Sequence, residues 1–192
     1  QMIVKGHDFP KVTLVGALAA DMSLYTDDYR SGERTFQLLT QAAGRAGRGD
    51  RPGEVVIQTY DPEHYAIEAS AAQDYEAFYE KEIRYRSLMG YPPVENLMAV
   101  LAACEDEALL EKACKYLKEY ILRIKGQAQL DVIGPASPGV DKIKDIYRRV
   151  IYVKAPEYRT LVVLKDRMEQ YIEINSGFQK MRIQFDFNPM NL

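Results

Sequence analysis

The chain has 192 residues, of which 47% are hydrophobic and 28% are charged, and its formal net charge is −3. A chain of this length can bury one large core or two small ones, and its composition suits a soluble intracellular protein. No apolar run approaches the roughly 18 residues that would span a bilayer, which argues against a membrane-spanning protein. The first residues show neither an initiating Met nor a signal-peptide pattern, so we expect a fragment of a longer protein.

The cysteines and histidines form no catalytic or metal-binding pattern. Cys104 and Cys114 stand ten residues apart with no neighbouring histidine, and two buried thiols are favoured over a disulfide. His7 and His64 have no Ser, Cys or carboxylate partner at a catalytic spacing. Surface or turn positions are therefore favoured for both rings over a role as general base.

The first part of the chain has the pattern of a parallel α/β sheet. Residues 11–18 form a nearly continuous apolar, β-branched run, which is typical of a strand buried on both faces. A polar loop follows, residues 33–43 have the apolar spacing of a helix, and residues 54–60 form a second strand. This order predicts the end of a parallel α/β domain, because two strands alone cannot make a stable sheet.

A helical stretch connects this region to a second one. Residues 62–89 have a helical composition, with Asp74 as a predicted N-cap. Gly90-Tyr91-Pro92-Pro93 then ends any helix, because each proline disfavours the α conformation in the residue before it. We therefore predict three parts: an α/β region over 1–61, a helical connector over 62–93 and a C-terminal domain over 94–192.

Alternating strands and amphipathic helices predict the architecture of the C-terminal domain. Strands are predicted over 97–103, 130–133, 149–153 and 181–187, and helices over 106–125 and 157–174. The resulting β-α-β-β-α-β order is that of a ferredoxin-like α+β fold, in which two helices cover one antiparallel sheet.

One short string carries chemistry: Gln41-Ala42-Ala43-Gly44-Arg45-Ala46-Gly47-Arg48, at the end of the first predicted helix. Positions three apart share a helix face, guanidinium groups offer planar donor forks to phosphate oxygens, and glycine lets a bound group come close. A bare Gly-Arg pair would be explained as a helix C-cap with arginines that favour the helix dipole. The whole string, however, resembles motif VI of the superfamily two helicases, whose arginines reach a nucleotide from the second RecA-like lobe.

Further strings extend this resemblance. Lys5-Gly6-His7-Asp8-Phe9 resembles helicase motif V, and Asp8 precedes Gln41 by 33 residues. Segments along the rest of the chain resemble the primosomal protein N′ (PriA) family of replication-restart DNA helicases: 18–21, 28–30, 33–39, 74–79, 88–93, Tyr147-Arg148 and Lys154-Ala155-Pro156. The resemblance covers essentially the whole chain.

The family resemblance implies a fold, an activity and a set of ligands. The fold would be the last part of a RecA-like lobe of the P-loop NTPase type, followed by a domain like a small-subunit ribosomal protein. The activity would be ATP-driven 3′-to-5′ unwinding in replication restart, with ATP and Mg²⁺ in a site completed by an upstream lobe. Zinc would bind only upstream. The implied partners are branched and single-stranded DNA, single-stranded DNA-binding protein and primosome loader proteins, in the bacterial cytoplasm at the nucleoid.

The resemblance also assigns roles by position. Arg48 would be the arginine finger on the γ-phosphate, with Arg45 and Gln41 as its partners in nucleotide sensing. Gly6 and Asp8 would couple the nucleotide to the DNA track, beside Lys5 on the DNA. Because no Gly-x-x-x-x-Gly-Lys-Ser/Thr string occurs in the sequence, we predict that this chain alone hydrolyses no ATP.

A basic segment lies in the C-terminal domain. Residues 142–154 hold one acid and five basic residues: Lys142, Lys144, Arg148, Arg149 and Lys154. Such a run suggests phosphates of a nucleic acid, with a tyrosine such as Tyr152 stacked on a base, although a strand edge protected by charge has the same pattern. Positions 149, 151 and 153 form the more apolar set of an extended strand. We therefore expect Arg148, Tyr152 and Lys154 to point outward.

Two other functions account for parts of the sequence. A non-enzymatic docking module for nucleic acid or protein explains the basic segment but leaves the motif VI-like string unexplained. A small ferredoxin-like hydrolase lacks a recognisable acid–base pair in residues 95–192. The sequence favours the helicase.

Overall fold

A computed structural model describes residues 12–26, 28–47 and 52–190. The chain divides after Tyr85 into two compact units, and each of them contains its own sheet. No helix in the described ranges is long and apolar enough to cross a membrane. The division into three parts, with a connector over 62–93, stays a prediction.

The first unit contains two parallel strands and the helix between them. Strand β1 (Leu14–Ala17) pairs with β2 (Glu54–Ile57), with Leu14 opposite Glu54. Helix α1 (Ser31–Ala43) connects the strands, and α2 (Tyr65–Ala72) and α3 (Tyr75–Met89) follow. The two strands and α1 therefore lie where the apolar pattern predicts them, and α2 and α3 lie in the stretch of helical composition.

Helix α1 packs through two small apolar clusters on one side. Phe36 stacks on Phe78 with ring centroids 4.3 Å apart, and small residues of α2 such as Ala66 complete this cluster. One turn further along, Leu39 packs against Ile67 and the ends of both strands. These contacts use the apolar stripe of α1. The helical spacing of apolar residues predicts this helix because the stripe has to be buried.

Only one face of the two strands is covered within the described residues. The prediction that the first strand is buried on both faces is therefore wrong. Leu14 is 59% exposed, and Val56 in the neighbouring strand is 50% exposed. Exposed and half-buried residues alternate along each strand. The covered face is the one on which Ala17 and Ile57 meet the helices.

Side-chain caps begin α2 and α3. The Asp74 carboxylate accepts a hydrogen bond from the Ala77 amide at 2.9 Å, which confirms the predicted N-cap. The His64 Nδ1 accepts from the Ala66 amide at 3.2 Å, so this ring caps α2. Burial lowers the pKa of His64, with two nearby carboxylates opposing the change, and a lowered pKa favours the neutral ring that can accept this bond.

The second unit is an antiparallel sheet with two helices. Its strands are β3 (Asn96–Cys104), β4 (Asp131–Ala136), β5 (Lys142–Ile143), β6 (Ile146–Ala155) and β7 (Arg182–Phe187). The helices are α4 (Glu107–Ile124) and α5 (Tyr158–Ile174). The sheet order is β4-β6-β3-β7, and the short β5 pairs with β6. The predicted β-α-β-β-α-β order is present, with β5 as an addition.

The core of the second unit lies between the sheet and its two helices. Alternate residues of β3, from Met98 to Cys104, belong to this core, and Leu117 and Leu161 meet them from the helices with no exposed surface. Cys104 and Cys114 are buried there as free thiols, as predicted. Burial raises the pKa of Cys114 to about 11, so this thiol stays protonated at neutral pH.

Candidate nucleotide and nucleic-acid sites

The motif VI-like string lies at the end of α1. Gln41 is exposed on the last turn of the helix, which ends at Ala43 with Gly44 as its C-cap. The Arg45 amide donates to the Ala42 carbonyl at 3.0 Å, so the chain turns tightly here and holds Arg45 half-buried. Four other residues assigned by the family resemblance lie outside the described residues: Lys5, Gly6, Asp8 and Arg48.

Gly47, the second glycine of the string, is required by backbone packing. Its φ is +72°, and its amide donates to the Val12 carbonyl at 3.0 Å. A Cβ at this position would come within 2.6 Å of the Gly53 nitrogen. Only glycine fits where the turn after α1 passes the start of β2. This close approach ties the string to the parallel strands.

Asp21 is a candidate ligand-binding residue that the sequence analysis did not identify. It is buried in a 3-10 turn (Ala20–Ser23) after β1, and one of its carboxylate oxygens has no hydrogen-bond partner among the described residues. Ligands of open α/β sheets bind beyond the carboxyl ends of the strands, which is where this acid lies. The available signal was an acid directly after an apolar run. No group of three or more His, Cys, Asp or Glu in the described ranges could hold a metal ion.

In the second unit, the basic segment does not form one surface. The Arg149 Nε lies 2.5 Å from a Glu111 carboxylate oxygen, and its Nη2 lies 2.9 Å from Glu107. The Arg149 side chain is only 11% exposed, and its hydrogen bond to Glu111 is the main reason that its pKa is raised. The predicted contact of Arg149 with DNA is not compatible with this geometry, because Glu107 and Glu111 of α4 already bind the guanidinium group.

Lys154 lies on the same face of β6 as Arg148, as expected from the strand periodicity. The prediction that its side chain points outward into solvent is wrong. The residue is 7% exposed, and its Nζ donates to the Met89 carbonyl at 2.7 Å. The Nζ also lies 3.9 Å from the centroid of the Tyr91 ring. Burial lowers the pKa of Lys154, with Asp131 and Glu95 opposing the change. The segment before β3 covers this position, which strand periodicity cannot reveal.

The other predicted residues lie at or near the β5–β6 hairpin. The Lys142 Nζ lies 2.9 Å from the Asp145 carboxylate and 4.6 Å from the Tyr147 ring centroid. Lys144 is exposed in the turn, and Arg148 donates to the Val140 carbonyl at 3.3 Å. A further predicted residue, Tyr152, is half-buried in β6.

A concave cleft of about 790 Å³ opens beside this hairpin. Four basic residues and two acids line it: Lys144, Arg148, Lys180, Arg182, Glu105 and Asp106. Sequence reasoning missed Lys180 and Arg182, because they follow the basic segment only after an entire helix. The available signal was the polar face of the last strand, where Arg182 alternates with core residues.

Comparison with known proteins assigns the family. Residues 87–190 match the family model of the primosomal protein N C-terminal domain. The chain is 39% identical over 98% of its length to the replication restart protein PriA of Bacillus subtilis, of which it covers 23%. It is 37% identical over its whole length to that of a Synechocystis species and 34% identical to that of Haemophilus influenzae, covering 22% and 26% of them.

The likeness of this chain to one designed protein of known structure is weak. The de novo designed protein Foldit4 covers 48% of this chain at 13% identity, with a TM-score of 0.37, which is too low to carry an argument. The chain spans about a quarter of the length of the relatives that it matches. The family model covers more than half of the chain, and the relatives match both units. The chain therefore belongs to the family of the replication restart protein PriA and corresponds to its C-terminal part.

Proposed function

We propose that this chain is the C-terminal part of an ATP-dependent 3′-to-5′ DNA helicase that restarts replication at stalled or branched forks. The supporting observation is the match to replication restart proteins along the entire chain. Two parallel strands joined by α1 suit the last part of a RecA-like lobe. Their exposed apolar residues, Leu14 and Val56, suit strands that belong to a larger sheet.

Gln41 and Arg45 are the described residues that would meet a nucleotide. The carboxyl end of α1 carries the negative end of the helix dipole, so phosphate binding here depends on guanidinium groups rather than on backbone amides. Arg48 would face the γ-phosphate, where an arginine finger is worth roughly 10³–10⁵ in rate. ATP and Mg²⁺ would supply the phosphoryl chemistry in a site that an upstream lobe completes.

The second unit is proposed to bind DNA and partner proteins. Lys142, Lys144 and Arg148 remain as the hairpin cations for phosphates. Tyr152 is the proposed stacking residue, and Lys5, Gly6 and Asp8 would lie along the DNA track of the first unit. Single-stranded DNA-binding protein and the primosome loader proteins are proposed partners, and the proposed location is the bacterial cytoplasm at the nucleoid.

The test is DNA-stimulated ATP hydrolysis by the full-length protein at saturating ATP. Arg48→Ala should lower turnover by roughly 10³-fold or more with DNA binding retained, and Arg45→Ala should lower it less. Arg84→Ala removes the same charge from an exposed position of α3 and should leave turnover unchanged. Unchanged turnover in Arg48→Ala would refute the finger, and absence of DNA-stimulated turnover in the wild-type protein would favour a non-enzymatic docking module. The chain of 192 residues alone should show no DNA-stimulated hydrolysis.

A further inference from the structure

We infer that the cleft beside the β5–β6 hairpin binds the phosphodiester backbone of a nucleic-acid strand, an inference that rests on the proposed function and specifies its DNA contacts. Lys144 and Arg148 come from the hairpin and β6, Arg182 is the first residue of β7, and Lys180 lies in the turn before it. Because these pairs are distant in sequence, the four cations converge only in the folded domain. Convergent cations in a concave surface concentrate positive potential where a polyanion can lie.

The sheet register brings the two arginines to one place. Ala103 in β3 is paired with Arg148 in β6 and with Arg182 in β7. Residues paired across neighbouring strands project from the same face, and neighbouring strands lie about 4.8 Å apart. The Cα atoms of the two arginines are therefore roughly 10 Å apart. Between them Ala103 contributes a single methyl group, which leaves room for a ligand.

The two acids of the cleft offset only part of the charge of its four cations. One of them, Asp106, also caps α4, because its carboxylate accepts a hydrogen bond from the Leu109 amide at 3.0 Å. Glu105 is the other acid in the lining. The Val140 carbonyl that accepts from Arg148 is uncharged, so this bond leaves the positive charge of the guanidinium uncompensated. The cleft keeps an excess of positive charge.

The dimensions of the cleft fit a nucleic-acid strand better than a free phosphate ion. Its volume of about 790 Å³ is far larger than one phosphate group needs. Ile143 and Ile146 line it with exposed apolar surface. A sugar or base can cover such surface, whereas inorganic phosphate cannot. A nucleic acid supplies regularly spaced phosphates together with these apolar groups.

The turn of the hairpin provides an independent argument. Lys144 has a φ of 48° and Asp145 a φ of 63°, the left-handed conformations of a type I′ turn. Asn, Asp and Gly are favoured there, whereas a lysine in this conformation costs roughly 1–2 kcal/mol. Strained residues of this kind cluster at functional sites. In this turn the strain places an ammonium group beside the cleft.

The binding test uses the chain of 192 residues and a fluorescently labelled single-stranded oligodeoxynucleotide, with affinity measured by anisotropy between 50 and 200 mM salt. The double variant Arg148→Gln/Arg182→Gln should weaken binding roughly three- to tenfold per residue. It should also reduce the slope of log affinity against log salt by about 1.4, since each lost phosphate contact contributes about 0.7. The control Lys115→Gln/Arg123→Gln removes equal charge from exposed positions of α4 and should change affinity less than twofold.

A single variant separates binding from folding. Asn tolerates the left-handed conformation, so Lys144→Asn should keep or raise the unfolding temperature while it weakens binding. Equal weakening by the cleft and control variants would overturn the inference, because it would show only a general effect of charge. Displacement of the oligonucleotide by inorganic phosphate, or by polyglutamate at the same charge concentration, would also overturn it.

The inference and the proposed function can fail separately. In the full-length protein, Arg148→Gln/Arg182→Gln should raise the DNA concentration needed to stimulate ATP hydrolysis. An unchanged DNA requirement refutes the cleft but leaves the motor intact. A wild-type protein that hydrolyses no ATP refutes the motor and leaves the anisotropy comparison as the test of the cleft.

Discussion

Replacing Arg149 with methionine tests whether this residue stabilises the second unit or binds DNA. Its guanidinium joins β6 to α4 through Glu111 at 2.5 Å and Glu107 at 2.9 Å. A third N–H donates to the Arg148 carbonyl at 2.9 Å. The two glutamates are four residues apart on one face of α4, which is why a single fork reaches both. Methionine keeps much of the apolar stem, so the substitution mainly removes the polar contacts.

The expected loss in the free energy of unfolding is about 2 kcal/mol. The Glu107 and Glu111 side chains are 50% and 38% exposed, so water screens both ion pairs, and each contributes roughly 0.2–1 kcal/mol. The hydrogen bond to the carbonyl adds about 1 kcal/mol. For a unit of this size, about 2 kcal/mol corresponds to a fall of roughly 8–10 °C in Tm.

The assay compares Arg149→Met with Arg148→Met, which removes the same charge from the neighbouring residue on the other face of the strand. Circular dichroism during heating measures Tm, and oligonucleotide anisotropy measures affinity below it. We expect Arg149→Met to lower Tm with affinity within twofold, and Arg148→Met to weaken binding with a smaller change in Tm. The reasoning is refuted if Arg149→Met shifts Tm by less than about 2 °C and weakens binding as much as Arg148→Met.

Two further substitutions test other contacts. Because the pKa of His64 is lowered from 6.5 in the folded chain, its cap contributes stability that is full above pH 6.5 and is lost as the pH falls through the folded pKa. His64→Asn keeps a capping acceptor, so its urea midpoint should fall less than that of the wild type between pH 7.5 and 5.5; equal falls would contradict the capping role. Lys154→Met removes the bond to the Met89 carbonyl and the contact with Tyr91, and it should cost roughly 1–2 kcal/mol in urea unfolding. The DNA affinity of Lys154→Met should stay within twofold of wild type. A larger loss of affinity would show that Lys154 contributes to DNA binding.

The sequence by itself determined the order and type of the elements. The helix predicted over 106–125 is Glu107–Ile124 in the structure, and the strand predicted over 181–187 is Arg182–Phe187. Such elements are readable because each must bury an apolar face, and burial imposes a period of 3.6 or 2 on the residues. The Asp74 cap was readable for a similar reason, since its partner amide is only three residues away.

Only the tertiary structure decided what the charged residues contact. Arg149 and Lys154 belong to one basic run, yet one pairs with glutamates of α4 and the other lies beneath Tyr91. Lys180 and Arg182 join the hairpin cations because β3 lies between β6 and β7. The spacing of charged residues along the sequence does not indicate their partners. The role of each charged side chain depends on segments that are distant in sequence and that folding brings close to it.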